Sequence, residues 1–419
     1  MLLLLVLADD FTGALDTGVQ FAACGISTRV VVGDAVEMEN CESTVLVIDT
    51  ETRHLPAKRA HDLVYRLTER AARAGVSCVY KKTDSALRGN IGAELSAVLE
   101  ASGSRQLPFL PAFPQIGRIT EKGIHYIDGV EVTDSPFGKD PFEPVKHSRV
   151  TELIAEQSEV PAFSCAVPAV TDDLPSMEGI LVFDSASTED MDNVGAALQR
   201  AGSPRILAGC AGFAAKLPEL LKLPAGERPH LPQLDPRLLV LCGSVNPITL
   251  RQMDAAEQAG FLRLRLTPQQ KLEQGYWDSD PGEKTLTEIE QMLADHPRCI
   301  IETNDAEGNQ LTAEYARERG IDLEGIRQGI AGSVGNMLGK LFTSPSLGTL
   351  LLTGGDTLLQ CMNCIGVQEL EPICEMESGV VLARFSYRDC SRYVITKSGG
   401  FGQENLLISL AEKIKGGKE

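Results

Sequence analysis

Two adjacent carboxylates, Asp9 and Asp10, close an apolar run and lead into Phe11, Thr12 and Gly13. Paired acids at the end of a strand can orient a hydroxyl, accept its proton or hold a Mg²⁺ ion. The competing role is helix N-capping, which one of the two can fill but not both. A second cluster follows another apolar run and holds Lys81, Lys82, Thr83, Asp84, Ser85, Arg88 and Asn90. Cations beside a carboxylate and hydroxyls suit a polyol that carries an acid. Lys and Arg pair with the acid, while Asp and Ser hydrogen-bond the hydroxyls. Arg88 can bind bidentately. The plainer alternative is a solvated loop with an ordinary cap. A third cluster runs from Asp49 through Thr50, Glu51, Thr52 and Arg53 to His54, and Arg53 would complete an anion clamp. Pro111, Phe113, Pro114, Gly117 and Arg118 follow a fourth apolar run and offer a further wall.

The second half of the chain repeats a different arrangement. Gly243 and Ser244 follow one apolar run. Gly354, Gly355, Asp356 and Thr357 follow another, and Lys397, Ser398, Gly399 and Gly400 a third. Glycine lets backbone N–H groups approach phosphate oxygens, and a following helix N-terminus adds a favourable dipole. Lys397 would neutralise charge developing on those phosphates. Neither G-x-x-x-x-G-K-[ST] nor a G-x-G-x-x-G after the first strand occurs, which disfavours a P-loop enzyme and a standard dinucleotide fold. The protein-kinase motif set is missing too. The six histidines do not cluster, and His54 and His125 read as surface or supporting residues.

These clusters need a scaffold that brings strand ends together. Short apolar runs predict strands over 2–7, 28–32, 44–48, 76–80, 107–110, 180–183 and 205–207. A later set is predicted over 238–241, 262–266, 299–302, 349–352 and 393–396. Helical periodicity lies between them, over 57–74, 93–102 and 190–201. Such alternation predicts an α/β chain of two domains, each a mostly parallel sheet flanked by helices. In open sheets of this kind ligands bind at the carboxyl edge, where the polar clusters fall. A stretch with four prolines near 222–236 predicts the boundary, giving domains over 1–225 and 236–419. Residues 120–146 lack a clear period and read as an irregular excursion or a short antiparallel feature.

The chain has 419 residues, enough for two cores, and a formal net charge of −19. That charge disfavours nucleic acid and anionic membrane as partners, since both want surplus cations. It leaves room for a locally basic site. The apolar run at the N-terminus has no preceding cation and stops at Asp9, short for a signal core. It reads better as a buried strand, and a cytoplasmic location is expected. Eleven scattered cysteines read as free buried thiols. Cys361 and Cys364 form a lone C-x-x-C, a weak zinc signal.

Taken together, seven motifs resemble the four-carbon acid sugar kinases, which act on tetronates such as threonate and erythronate. The carriers are ADDFTGALDTGVQFA at 8–22, DTETRHL at 49–55, KTDSALRGNIGAE at 82–94 and PAFPQIGR at 111–118. CGSVNPIT at 242–249, TGGDT at 353–357 and TKSGGFG at 396–402 complete the set, in the family's order and across nearly the whole chain. The resemblance implies an acid-sugar domain followed by an ATP domain, facing each other across a cleft. It implies substrate contacts at Asp9, Arg53, Lys82, Thr83, Asp84 and Ser85, with Arg88 joining from the reading of the residues. It implies ATP contacts at Ser244, Gly354, Gly355, Asp356, Thr357 and Gly400. One departure is Ala208-Gly209-Cys210-Ala211-Gly212, where relatives often carry Gly-Ser-Ala-Gly; a hydroxyl is lost there.

The activity so implied is ATP- and Mg²⁺-dependent phosphorylation of a small sugar acid, with D-threonate to 4-phospho-D-threonate expected first. D-erythronate and 3-oxo-tetronate are the alternative acceptors. Asp9, Asp10 or Asp84 would orient or deprotonate the attacking hydroxyl, while Arg53, Lys82 and Arg88 hold the acid. The metal ligands and the homo-oligomeric state are open at this level. A non-catalytic sugar-acid and nucleotide sensor is the rival from another class, and an NAD-linked dehydrogenase a third reading.

Overall fold

Five-residue apolar runs set the sheets. The computed structural model describes residues 1–140, 144–169, 173–202, 204–306, 308–388 and 390–416. It divides into two units, Met1–Pro229 and His230–Glu419.

The first unit holds strands β1 (Leu4–Ala8), β2 (Thr28–Val32), β3 (Val45–Asp49), β4 (Cys78–Lys82) and β5 (Gln106–Leu110). They are followed by β6 (Arg118–Glu121), β7 (Ile124–Ile127), β8 (Val130–Glu131), β9 (Ala162–Cys165), β10 (Gly179–Phe183) and β11 (Ile206–Gly209). Its main sheet runs β2-β3-β1-β4-β11-β5-β10-β9 with every pairing parallel. β1 is buried along its whole length, as a strand apolar on both faces must be. It lies between β3 and β4 in register, with Ala8 opposite both Asp49 and Lys82. The three polar clusters therefore leave the sheet at one edge.

Helix α1 (Phe11–Ala22) begins directly after β1. Helix α2 (Ala57–Arg73) buries Ala60, Val64, Leu67, Thr68 and Ala71, the stripe expected of a helix with one face on a sheet. It packs beside α3 (Ile91–Ser102), which is buried from Ile91 to Leu99 and ends on the left-handed Gly103. Leu5, Leu7, Leu46, Ile48, Val64, Leu95 and Val98 belong to one core cluster. β4 continues two residues beyond the predicted strand because both lysines are buried. Lys81 forms an ion pair with Glu94 at 3.1 Å and donates to the carbonyls of Leu7 and Lys82, so its charge does not end the strand.

Residues 120–146 hold most of a small antiparallel sheet, β6-β7-β8, which was the second of the two readings; 141–143 lie outside the described residues. A 3₁₀ turn, Pro136–Lys139, follows it.

The second unit holds β12 (Leu238–Cys242), β13 (Leu262–Arg265), β14 (Arg298–Glu302), β15 (Thr349–Thr353), β16 (Glu369–Glu377), β17 (Val380–Tyr387) and β18 (Cys390–Lys397). The order is β13-β14-β12-β15-β18-β17-β16. The first five strands are parallel and the last two pairings antiparallel. β9, β16 and β17 were not predicted. β16 contains Pro372 and two register shifts, which break the alternation that marks a strand.

All eleven cysteines are free thiols, but the expected burial holds for seven of them, Cys361 included; Cys24 and Cys374 are half-buried and Cys364 and Cys390 exposed. Among the described residues no three His, Cys, Asp or Glu side chains form a group able to hold a metal, and no helix is long and apolar enough to cross a membrane.

Candidate functional site

Asp10 is the helix cap. Its backbone is extended, and Oδ1 accepts from the Gly13 N–H at 3.0 Å, closing the first turn of α1. That leaves Asp9, on the preceding residue, free for another task. A Cβ at position 13 would come within 2.4 Å of Asp10 Oδ1 and 2.7 Å of Lys82 Nζ. Glycine there lets the Lys82 ammonium approach the start of the helix.

Arg53 reaches all three acids. Its Nε donates to Asp9 Oδ2 at 2.7 Å and Nη1 to Asp10 Oδ2 at 2.8 Å, while Nη2 lies 3.6 Å from Asp84 Oδ1. Arg88 grips Asp84 with a fork, Nε to Oδ2 at 2.9 Å and Nη2 to Oδ1 at 3.0 Å, and reaches Asp140 through Nη1 at 3.3 Å. Asp84 Oδ2 also accepts from the backbone N–H of Ala86 and Arg88. Arg88 therefore binds bidentately, as its shape suggests, but to a carboxylate of its own loop. Arg53 likewise braces the acids.

Burial pushes the Asp9 carboxyl up, but Arg53, Lys82 and Lys81 outweigh it and hold Asp9 below its usual value. Burial acts on Asp84 in the same way, and Arg88, Arg53 and Lys82 hold it well below the carboxylate range. Both are ionised at neutral pH. Asp49 behaves oppositely: burial, then Glu51 and Asp10, push its carboxyl well up.

Several polar groups of these loops are left over. Asp9 Oδ1 has no hydrogen-bond partner among the described residues. The Lys82 ammonium, on a side chain only 4% exposed, donates to none of them either. Thr83 is buried, with Oγ1 unpartnered among the described residues and its N–H on the Gly209 carbonyl. The Ser85 carbonyl accepts from His125 Nε2 at 2.9 Å, while His125 Nδ1 lies 3.0 Å from Thr120 Oγ1. Burial draws His125 down to about 4, so it is neutral and fixed in the Nε2–H tautomer by the carbonyl it faces. Thus β6 and β7 support the Lys82–Arg88 loop. In the departing loop, Cys210 turns its thiol to the Ala112 carbonyl and accepts the Tyr80 hydroxyl on its own carbonyl.

The second unit gathers its glycine loops at the carboxyl edge of β12, β15 and β18. Gly354 has a φ of +107°, and a Cβ there would lie 3.2 Å from Gly243 C and Ser244 N. Gly355 starts the helix Gly355–Cys364, with Asp356 and the buried Thr357 in its first turn. Asp356 is held by Arg327 Nη1 at 2.5 Å. The Ser244 carbonyl accepts from Asn304 Nδ2 at 3.0 Å. Lys397 is fully buried and donates to Thr249 Oγ1, the Ser398 carbonyl and the Gly399 carbonyl at 3.0, 2.9 and 3.3 Å. Its charge ties down the turn that carries Gly400.

Residues 4–217 match the model of the family described as the sugar-binding N-terminal domain, and residues 239–407 that of the nucleotide-binding C-terminal domain. A D-threonate kinase of Salmonella typhimurium is 30% identical over 96% of this chain and 96% of its own. The chain belongs to the four-carbon acid sugar kinase family. A second D-threonate kinase of the family, from Bordetella bronchiseptica, is 28% identical over 98% of this chain and 97% of that one. A D-erythronate kinase of Heliobacterium modesticaldum is 25% identical over 96% and 94%. In structure, a Salmonella typhimurium LT2 protein overlays with a TM-score of 0.78 at 20% identity, covering 99% of this chain and 100% of that one, which supports the shared fold.

In this member of the four-carbon acid sugar kinase family, the loops marked in the sequence lie at the carboxyl edges of their sheets, and the residues that support them were not marked. His125 and Arg118 were noted only as neighbours, and Phe137 and Asp140 went unmarked. The signal available was the Gly-Arg pair at 117 and 118; the two partners of Phe137, Arg88 and Arg118, are 49 and 19 residues away in sequence and meet it only in the fold.

Proposed function

We propose that this chain transfers the γ-phosphoryl group of ATP to a hydroxyl of a four-carbon sugar acid, with D-threonate as acceptor and 4-phospho-D-threonate and ADP as products. One observation carries the reading. Asp9 is buried and ionised, is anchored through Oδ2 by Arg53, feels the Lys82 charge, and keeps Oδ1 without a hydrogen-bond partner among the described residues. Asp10 is spent on the helix cap and Asp84 on Arg88, so Asp9 is the acid left for the acceptor.

Residues 1–225 hold the acid sugar and residues 236–419 the nucleotide, a division that the two family matches support. Lys82, Thr83 and Ser85 bind the acceptor, with Arg53, Asp84 and Arg88 keeping their loop in shape. Ser244, Gly354, Gly355, Asp356, Thr357 and Gly400 hold the phosphates of ATP, with Lys397 as a strut behind them. Oδ1 of Asp9 accepts the hydroxyl hydrogen. The acceptor oxygen bonds to the γ-phosphorus as the bond to the bridging oxygen of ADP breaks, and the proton leaves through Asp9. A loose transition state asks for alignment more than basicity, so an ionised acid of lowered pKa suffices. Mg²⁺ would travel on the nucleotide's phosphate oxygens, which are its usual ligands beside one or two carboxylates. It would supply charge neutralisation. Eleven free thiols suit a reducing compartment, the cytoplasm.

The names of the two D-threonate kinases favour that acceptor, and the D-erythronate relative keeps D-erythronate as the second. The test is ADP release with D- and L-threonate, D- and L-erythronate and the oxo-tetronates, each with ATP and Mg²⁺. D-threonate is expected to give the highest kcat/KM. Binding of tetronate without turnover on any acceptor would favour the sensor instead.

A further inference from the structure

Five cationic side chains lie at the carboxyl edge of the first unit, four buried and Arg88 half-buried, and they differ in what they already hold. Lys81 is paired with Glu94. Arg53 serves Asp9 and Asp10, and Arg88 serves Asp84 and Asp140. Moving either guanidinium onto a substrate would strand a buried carboxylate, which is strongly unfavourable. Lys82 is unpaired. Arg118 is the fifth.

Arg118 is 6% exposed. Its ion pair is to Asp128, 3.4 Å from Nη1, and the Asp128 side chain is 75% exposed. Its Nε makes no hydrogen bond among the described residues. Burial lowers its pKa against the raising effects of Asp128 and Asp84, so its desolvation is incompletely compensated. A buried guanidinium with a bare donor is costly unless a ligand completes it. Its position is rigid. Arg118 opens β6, and its backbone N–H and carbonyl both bond Phe113 at 3.1 and 2.7 Å. Its guanidinium sits 5.3 Å from the centre of the Phe137 ring, and Arg88 lies 5.1 Å from the same centre. Arg118 and Lys82 both feel the Asp84 charge, one from β6 and the other from β4.

We propose that Arg118, working with Lys82, receives the carboxylate of the substrate and so sets the preference for an acid over a neutral polyol. This rests on the reading of the site as a tetronate kinase. The planar fork of an arginine matches a carboxylate bidentately, and Nε offers an unused donor for it. The assignment moves the acid clamp from Arg53 and Arg88, which the sequence favoured, to the two cations that remain underpartnered.

The test compares binding and turnover of D-threonate and of threitol, its neutral analogue, in wild type, Arg118→Gln and Arg118→Lys. Removing one partner of a buried charge pair weakens binding on the order of 100-fold. Arg118→Gln is therefore expected to lose about that much affinity for D-threonate, with threitol and ATP unchanged, and Arg118→Lys to recover part of it. Equal loss for D-threonate and threitol would make Arg118 merely structural and overturn the proposal, as would unchanged D-threonate affinity. If Arg118→Gln does not fold, the threonate-to-threitol affinity ratio of Arg118→Lys decides, and it must fall. Wild type that binds D-threonate without phosphorylating it sinks the kinase reading while the affinity ratio still tests Arg118. Wild type that phosphorylates D-threonate beside an equally selective Arg118→Gln sinks only the Arg118 assignment. Wild type that binds no tetronate overturns both.

Discussion

At the carboxyl edge of β1, β3 and β4 the polar groups on offer are side chains, Asp9, Lys82 and Thr83, with Arg118 contributed from the start of β6. At the carboxyl edge of β12, β15 and β18 they are largely backbone, on turns around Gly243, Gly354 and Gly400. Buried lysines sharpen the contrast. In the second unit Lys271 is consumed by the Thr303 carbonyl, Asp305 and Thr312, and Lys397 by Thr249 and two carbonyls. In the first, Lys81 is consumed and Lys82 is not. A small hydroxy acid presents charge and hydroxyls in a stereospecific array, which only placed side chains can read. Phosphate presents equivalent oxygens, which backbone N–H groups serve without a fixed counter-charge.

The contrast can be broken at its strongest point first. Asp9→Asn keeps the shape of the side chain and removes its charge. It is expected to lower kcat about 10³-fold with ATP affinity kept. Wild-type turnover in an ADP-release assay would remove Asp9 from the chemistry.

Arg53→Ala takes the shared counter-ion from Asp9 and Asp10. Leaving buried charges uncompensated is expected to cost about 4 kcal/mol, read from denaturant melts. A cost below roughly 1 kcal/mol would mean that the acids are not held as a network.

His125 supplies the pH test. Its pKa falls from 6.5 to about 4 on folding, so the unfolded chain takes up the proton first as pH drops. Stability from this group is present above about pH 6.5 and is lost as pH falls toward 4, about 3 kcal/mol in all. His125→Gln, which keeps a donor for the Ser85 carbonyl, should flatten that part of the stability–pH curve. An unchanged slope would assign it elsewhere.

Gly354→Ala probes the backbone site. The left-handed region and the 3.2 Å approach to the turn of Gly243 and Ser244 give an expected cost of about 2 kcal/mol. It should appear as about a 30-fold rise in KM for ATP with D-threonate binding unchanged. A matching loss of D-threonate affinity would erase the difference between the two sites.

Much of this was legible in the chain. Strand ends were readable to within a few residues because a strand buried on both faces must be apolar throughout and polarity then marks its exit. The exceptions follow the same logic. The extent of β4 was misjudged because Lys81 is neutralised by Glu94 from α3. The hairpin of β16 and β17 carries Pro372 and irregular register, which hide its period. The sheet of β6 to β8 is short and turn-rich, with Gly123 and Gly129 at its tight turns.

The sequence by itself determined that the chain is α/β, that polar clusters sit where strands end, and that these clusters are acidic and basic in the first half and glycine-rich in the second. Those properties are local, written in composition and period. Only the tertiary structure decided which charge is spent. Arg53 meets Asp9 across 44 positions of sequence, and Arg88 meets Asp140 across 52. An ion pair depends on distances of a few ångströms that no spacing along the chain encodes. The fold satisfies Asp10, Asp84, Arg53 and Arg88 largely among themselves and leaves Asp9 Oδ1, the Lys82 ammonium and Arg118 Nε without a hydrogen-bond partner among the described residues.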